Sequence, residues 1–341
     1  MNELQKLAVD IDRGPADRAG AMAHYCGPRN PGMPFDRAWI DSIRVNLSAI
    51  ERRIDSLAGR RSVKREWQAA WLLKAVSCID LTTLAGDDTP SRVARLCAKA
   101  RLPIRADLLE ALGMASRHLT VGAVCVYHDM IGAALDALRG SGIPVAAVST
   151  GFPAGHAPMA TKLMEIEASV SAGAREIDIV ISRRHVLTGN WRALYDEMCA
   201  FRAACGGAHV KAILATGELG SIARVAKAST VCMMAGADFV KTSTGMESVN
   251  ATLTASLAML RTIRDYRQRC GIQIGFKPAG GISTAKQALA YLILLKEELG
   301  TEWLSPKLFR IGASRLLGDI ERQLEHFVTG RYSAVQRHAM G

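Results

Sequence analysis

The sequence predicts an α/β protein, a (β/α)8 TIM barrel with an N-terminal helical extension. Three observations carry this. Eight short apolar segments rich in Val and Ile recur between residues 75 and 311, and each is followed by a stretch with helical periodicity. The 341 residues are 49% apolar and 22% charged, enough for one large domain with an appendage. No Gly-x-Gly-x-x-Gly follows the first segment, which turns the reading away from an open doubly wound sheet. We divide the chain into an arm and amphipathic helix (1–66), a barrel (67–330) and a tail (331–341).

Residues 1–34 are rich in Gly, Pro, Asp and Arg and read as a loose arm. From Asp36, apolar residues recur at Trp39, Ile43, Leu47, Ile50, Ile54 and Leu57. That spacing predicts one amphipathic helix, capped by Asp36 and ending near Gly59. A second helix spans about Trp67 to Lys74. Strands are then expected at Ala75–Leu81, Val121–Tyr127, Pro144–Ser149, Glu176–Ile181, Val210–Leu214, Asp238–Lys241, Ile272–Lys277 and Leu308–Ile311. The helices that follow are expected to begin near Thr89, Asp129, Pro158, Trp191, Glu218, Asn250, Thr284 and Ser314.

Composition excludes several classes. No apolar run reaches the roughly 20 residues needed to span a bilayer, and the first residues lack a secretory layout. The eight cysteines are scattered with no C-x-x-C pair, which predicts reduced thiols and a cytoplasmic home. Net charge is +11, yet residues 1–67 hold twelve basic and nine acidic side chains, so the excess is spread along the chain. A spread basic surface can be plain solvation or can attract phosphorylated substrates. No aromatic-interleaved basic stretch points to nucleic acid.

In such a barrel, chemistry sits at the C-terminal strand ends. Two strands end on lysines there, in Phe239-Val-Lys241-Thr-Ser-Thr-Gly245 and Gly275-Phe-Lys277-Pro-Ala-Gly-Gly281. Alternation turns both lysines to one side of their strands. To act as a nucleophile near pH 7, Lys241 must lose about three pKa units, roughly 4 kcal/mol. A second ammonium about 4 Å away, at an effective dielectric near 20, supplies about 4 kcal/mol. Lys277 therefore reads as the source of most of the shift; the competing reading is a lysine paired with a strand-end carboxylate. Asp178, in Glu176-Ile-Asp-Ile-Val-Ile181, suits general acid–base work or a buried salt bridge to Lys211 or Lys277. Asp80 suits holding an ammonium or a substrate hydroxyl. Cys125 reads as a small apolar residue, or as a thiol open to aldehydes if it faces the pocket mouth. The loops at Gly280-Gly281 and Gly312-Ala-Ser314 each open a helix and suit an anion.

Together, Ile79-Asp-Leu-Thr-Thr-Leu84, Glu176-Ile-Asp-Ile-Val180, Val240-Lys-Thr-Ser-Thr-Gly245, Gly275-Phe-Lys-Pro-Ala-Gly-Gly-Ile282 and Ile311-Gly-Ala-Ser314 resemble the deoxyribose-phosphate aldolases. The similarity runs from about Trp71 to Gly330. Val186-Leu-Thr-Gly-Asn-Trp191 and Val328-Thr-Gly-Arg-Tyr332 look like the longer, eukaryotic-type members. The resemblance implies a class I aldolase that needs no metal or cofactor. Its substrates are a phosphosugar and aldehydes: 2-deoxy-D-ribose 5-phosphate yields acetaldehyde and D-glyceraldehyde 3-phosphate, in deoxyribonucleotide catabolism. It also implies roles: Lys241 as Schiff-base lysine, Lys277 as its perturber and Asp178 with water as proton shuttle. Asp80, Thr82, Lys211 and Thr244 are implied to line the site, and Gly280, Gly281 and Ser314 to hold phosphate. No nucleic-acid or membrane partner is implied, and a homo-oligomer is compatible. A related Schiff-base aldolase with a different or nonphosphorylated sugar is the alternative.

Departures gather at the phosphate end. The family usually has Lys where this chain has Met246, Arg at Ser283, and Ser or Thr at Arg315. Two cations are missing and one is gained, so phosphate binding is expected to move to Arg315. Short members end in a tyrosine that reaches the site; here nine residues follow Tyr332.

Overall fold

The computed structural model describes residues 29–334; most of the expected arm and the end of the tail lie outside the described residues. Where one long helix is expected from Asp36, two form, α1 (Arg37–Ser42) and α2 (Leu47–Arg60). Asp36 caps the first, accepting from the Trp39 N–H at 2.9 Å. Ile43 then turns to extended backbone and Asn46 caps the second helix, accepting from the Ala49 N–H at 3.0 Å. The break rotates the apolar face: Ile40, Ile50 and Leu57 are buried, whereas Leu47 is exposed.

α3 (Arg65–Ser77) absorbs Ala75 and Val76, which were assigned above to the first strand. Both are fully buried, and a short apolar run reads alike in helix and strand. β1 (Ile79–Thr82) follows directly. Next come α4 (Pro90–Arg101) and α5 (Ala106–Ala111), β2 (Ala123–Val126) and α6 (Ile131–Ala137), then β3 (Val145–Ser149) and α7 (Met159–Ser171). β4 (Glu176–Val180) leads to α8 (Arg183–Leu187) and α9 (Trp191–Ala204), and β5 (His209–Ile213) to α10 (Ile222–Met234). β6 (Phe239–Lys241) precedes α11 (Leu253–Cys270), β7 (Gly275–Lys277) precedes α12 (Ala285–Leu299), and β8 (Ile311–Ala313) precedes α13 (Leu316–Thr329). β8 starts three residues later than expected. None of the described helices is long and apolar enough to cross a membrane.

All strands are parallel, in the order β7-β6-β5-β4-β3-β2-β1-β8. β7 and β8 close the ring through bridges Phe276–Phe309 and Ala279–Gly312. Pro278 interrupts this last ladder because it has no N–H, but its carbonyl accepts from the Gly312 N–H at 2.9 Å. The eightfold βα repeat, read from apolar periodicity, thus becomes a closed barrel with helices outside.

Register then decides what faces inward. Asp178 pairs with Lys211, Lys211 with Phe239, and Lys241 with Lys277. Gly275 is needed beneath this layer: a Cβ there would fall 2.3 Å from the Phe239 ring. The foot of β6 is fastened by residue 30. Asn30 donates from its side chain to the carbonyls of Met233 (2.7 Å) and Ala237 (2.9 Å), and from its backbone to Asp238 Oδ1 (2.6 Å). Asp238 Oδ2 in turn accepts from Arg202 and from the Val210 N–H. Strand β6, which carries Lys241, is therefore anchored at its start by groups the chain brings from far away.

Candidate active site

The C-terminal ends of the strands surround a pocket of about 620 Å³, whose wall includes Thr82, Lys241, Thr244, Gly280, Ser314 and Arg315. A larger cavity of about 740 Å³ lies on the barrel's flank beside α4 and α5, away from the strand ends. Cavity size therefore does not single out the site; the charged groups do.

Beneath the pocket lies a dry layer of charge. Asp178 Oδ2 accepts from Lys241 Nζ and from Lys277 Nζ, both at 2.7 Å, and Asp178 Oδ1 from Lys211 Nζ at 2.9 Å. Lys277 also reaches Asp80 Oδ2 at 2.5 Å. Lys211 reaches Glu176 Oε2 at 2.5 Å and Asp80 Oδ2 at 3.3 Å. Arg310 closes the network, donating to Asp80 Oδ1 at 2.7 Å and to Glu176 Oε1 at 2.8 Å. Of these seven groups only Lys241 also forms part of the pocket wall.

Burial opposes charge on every member, and the neighbours decide which stay ionised. Asp178 is held well below the usual carboxylate range, because Lys211, Lys241 and Lys277 outweigh its burial. Asp80 is likewise held low by Lys211, Lys277 and Arg310. Lys211 and Lys277 are both pushed up, since their carboxylates more than offset desolvation. Lys241 moves the other way. Burial is the largest cause of its lowered proton affinity; Asp178 opposes it, and the Lys277 ammonium adds to it. This revises the expectation that Lys277 supplies most of the shift: burial is the larger cause, and it prevails at Lys241 because that amine has one carboxylate to offset it where Lys277 has two.

Asp80 and Lys211, expected to line the site, lie one layer down. Both are fully buried and engaged in ion pairs. Thr82 is on the pocket wall, its hydroxyl donating to the Asp80 carbonyl at 2.8 Å. Cys125 does not face the mouth: it is fully buried with Ala146 and Val148, under Leu84, Tyr127 and Phe152, and burial pushes its thiol up. That environment does not favour a reactive thiolate. Arg310 and Glu176 were not singled out in the sequence as site groups. The available signal was the same for both: a charged residue inside an apolar run.

The phosphate-end loops differ in what their N–H groups already hold. The N–H groups of Thr244 and Gly245 donate to the Glu247 carboxylate. Those of Ser283 and Thr284 donate to Gln287 Oε1, and that of Ala285 to Asp319 Oδ2. α13 has no side-chain cap at its N-terminus. Arg315 stands at that N-terminus, with no ion-pair or hydrogen-bond partner for its guanidinium among the described residues. Gly280 has φ +82°, and a Cβ there would fall 2.6 Å from the Asn250 side chain. Tyr332 stacks on His326 with ring centroids 4.0 Å apart and is largely exposed.

Comparison with known proteins places the chain in a family. The model of the DeoC/LacD family aldolases matches residues 74–294. The chain is 60% identical over 315 residues to the deoxyribose-phosphate aldolase of Mus musculus, covering 92% of this chain and 98% of that one. It is 59% identical over 307 residues to that of Homo sapiens, covering 89% and 96%. The tetrameric deoxyribose phosphate aldolase from Aeropyrum pernix superposes with a TM-score of 0.57 at 22% identity, over 82% of this chain and 99% of that one; this likeness concerns the fold alone. With its lysine-bearing barrel mouth and a family match across most of its length, the chain belongs to the DeoC/LacD family of aldolases.

Proposed function

We propose that this protein is a class I aldolase, a lyase that reversibly cleaves 2-deoxy-D-ribose 5-phosphate to acetaldehyde and D-glyceraldehyde 3-phosphate. The close relatives support the substrate, and one structural observation carries the mechanism. Of the three lysines in the charged layer, the one on the pocket wall is the one whose proton is easiest to lose.

Neutral Lys241 Nζ attacks the C1 aldehyde of the open-chain sugar, and uptake of one proton from water with loss of the hydroxyl as water leaves an iminium. Its N–H⁺ stands against Asp178 Oδ2 where the amine stood, so the iminium has a buried carboxylate to offset its charge. Removal of the C3 hydroxyl proton lets the C2–C3 bond break. The bonding pair enters the iminium as an enamine, and C3 leaves as the new aldehyde. Protonation at C2 and addition of water release acetaldehyde and restore Lys241. Asp178 is not on the pocket wall, so the proton passes between it and substrate through water. Lys277, doubly paired to Asp80 and Asp178, stays an ammonium throughout.

The phosphate is seated by Arg315, Ser314 and the Gly280-Gly281 turn. Arg315 supplies charge at the uncapped start of α13, while the first turn of α12 and the β6 loop already donate to protein oxygens. Borohydride reduction in the presence of acetaldehyde, followed by peptide mapping, tests the central step. An ethyl group on Lys241 is expected; its absence there, or its presence on Lys277 instead, overturns the mechanism.

A further inference from the structure

The charged layer beneath the pocket has an odd number of members. It holds three carboxylates, Asp80, Glu176 and Asp178, and four cations, Lys211, Lys241, Lys277 and Arg310. No water-exposed surface dilutes their mutual field: Asp80, Asp178, Lys211, Lys277 and Arg310 are 0% exposed, Glu176 1% and Lys241 3%. Excess charge is costly in such a place, so the layer is most stable when one cation has lost its proton. Arginine cannot be that cation near neutral pH. Lys211 touches all three carboxylates and Lys277 touches two. Lys241 touches Asp178 alone.

We propose that Arg310 and Glu176, neither of which reaches the pocket, are positioning residues that fix the charge balance of this layer and so leave Lys241 as the amine that gives up its proton. This rests on Lys241 being the Schiff-base lysine, as read above. Arg310 is held by Asp80, by Glu176 and by the Pro306 carbonyl, the last at 2.5 Å from Nε. Glu176 joins it to Lys211, which continues to Asp178 and thence to Lys241. The groups that face Lys241 are Asp178 from β4, Lys277 from β7 and Cys125 from β2. Behind them stand Asp80 from β1, Lys211 from β5, and the Arg310–Glu176 pair. Among these, Arg310 and Glu176 pair with each other and with Asp80 and Lys211, one step behind the Lys241–Asp178–Lys277 contacts, so their charges can be changed with the reacting end left in place.

The sign of each change follows. Removing the carboxylate charge with Glu176→Gln makes the layer more positive and eases proton loss from Lys241. Removing the cation with Arg310→Met does the reverse. The test is the pH dependence of acetaldehyde trapping on Lys241 by cyanoborohydride, read by peptide mapping on proteins whose folded state is confirmed by circular dichroism. The midpoint is expected to fall by about one pH unit in Glu176→Gln and to rise by about one in Arg310→Met, as for one charge change in a poorly screened interior. Arg310→Lys, and the double variant Glu176→Gln/Arg310→Met, keep the charge count and are expected to restore the midpoint. Should Arg310→Met not fold, Glu176→Gln and Arg310→Lys still decide the matter. Midpoints that stay put in Glu176→Gln, or that move equally in Arg310→Lys, overturn the proposal. Adducts on Lys241 in every variant with unmoved midpoints would sink the charge-balance role alone, whereas no adduct on Lys241 in the unaltered protein would sink the Schiff-base reading itself.

Discussion

The dry layer under the pocket and the rim above it use charge in opposite ways. In the layer, every carboxylate has at least two cationic partners and the groups are closed to solvent. At the rim, Arg315 is exposed and has no such partner among the described residues. A buried, crowded cation has its protonation decided by burial and by its neighbours, and these lower the proton affinity of Lys241. An exposed, solitary cation stays charged and is free to meet a substrate phosphate. On the function proposed above, chemistry belongs to the layer and phosphate recognition to the rim.

The largest effect tests whether the layer's function converges on one atom. Lys241→Ala is expected to lower kcat by about four orders of magnitude or more, since the covalent route is lost; steady-state kinetics at saturating substrate measures it. Lys277→Met probes the next link. It leaves Asp80 and Asp178 short of a cation, a cost of about 3–5 kcal/mol in denaturant unfolding. It also removes a like charge near Lys241, so the acid limb of the rate profile is expected to move to higher pH. An unchanged limb would mean that burial alone sets the amine.

Asn30→Ala sharpens the comparison from the opposite end of the barrel. Two carbonyls at the foot of β6 lose their side-chain donor, and a loss of about 2–3 kcal/mol in stability is expected. Rates per folded molecule should hold, because the layer's ion pairs do not include residue 30. At the rim, Arg315→Ala is expected to raise KM for the phosphorylated sugar about tenfold, the scale of one charged hydrogen bond. The same change should leave kcat, and activity on unphosphorylated deoxyribose, nearly as they were. An equal loss on both sugars would remove Arg315 from phosphate recognition.

Local pattern made much of this legible. Strand alternation placed Lys241 and Lys277 inward from six or seven residues of context each, because side-chain direction in a strand is a local property. The same rule applied to Leu308–Ile311 could have flagged Arg310, but a single basic residue in a short apolar run also reads as a strand end. The split of the expected Asp36 helix was written in Ile43-Arg-Val45-Asn46, where an extended turn and a second cap compete with apolar spacing. The boundary at Ala75 was not legible, since buried helix and buried strand share one composition there.

By itself the sequence determined the βα repeat, the inward lysines and the acidic partners on β1 and β4, all set by periodicities of two to four residues. Only the tertiary structure decided how charges from β1, β4, β5, β6, β7 and the residue just before β8 are counted against one another. That count depends on the closure of the ring and the register of its strands, which bring residues 80 and 310 within 2.7 Å. It is the summed field of groups distant in the chain, not any local motif, that leaves Lys241 the amine able to shed its proton.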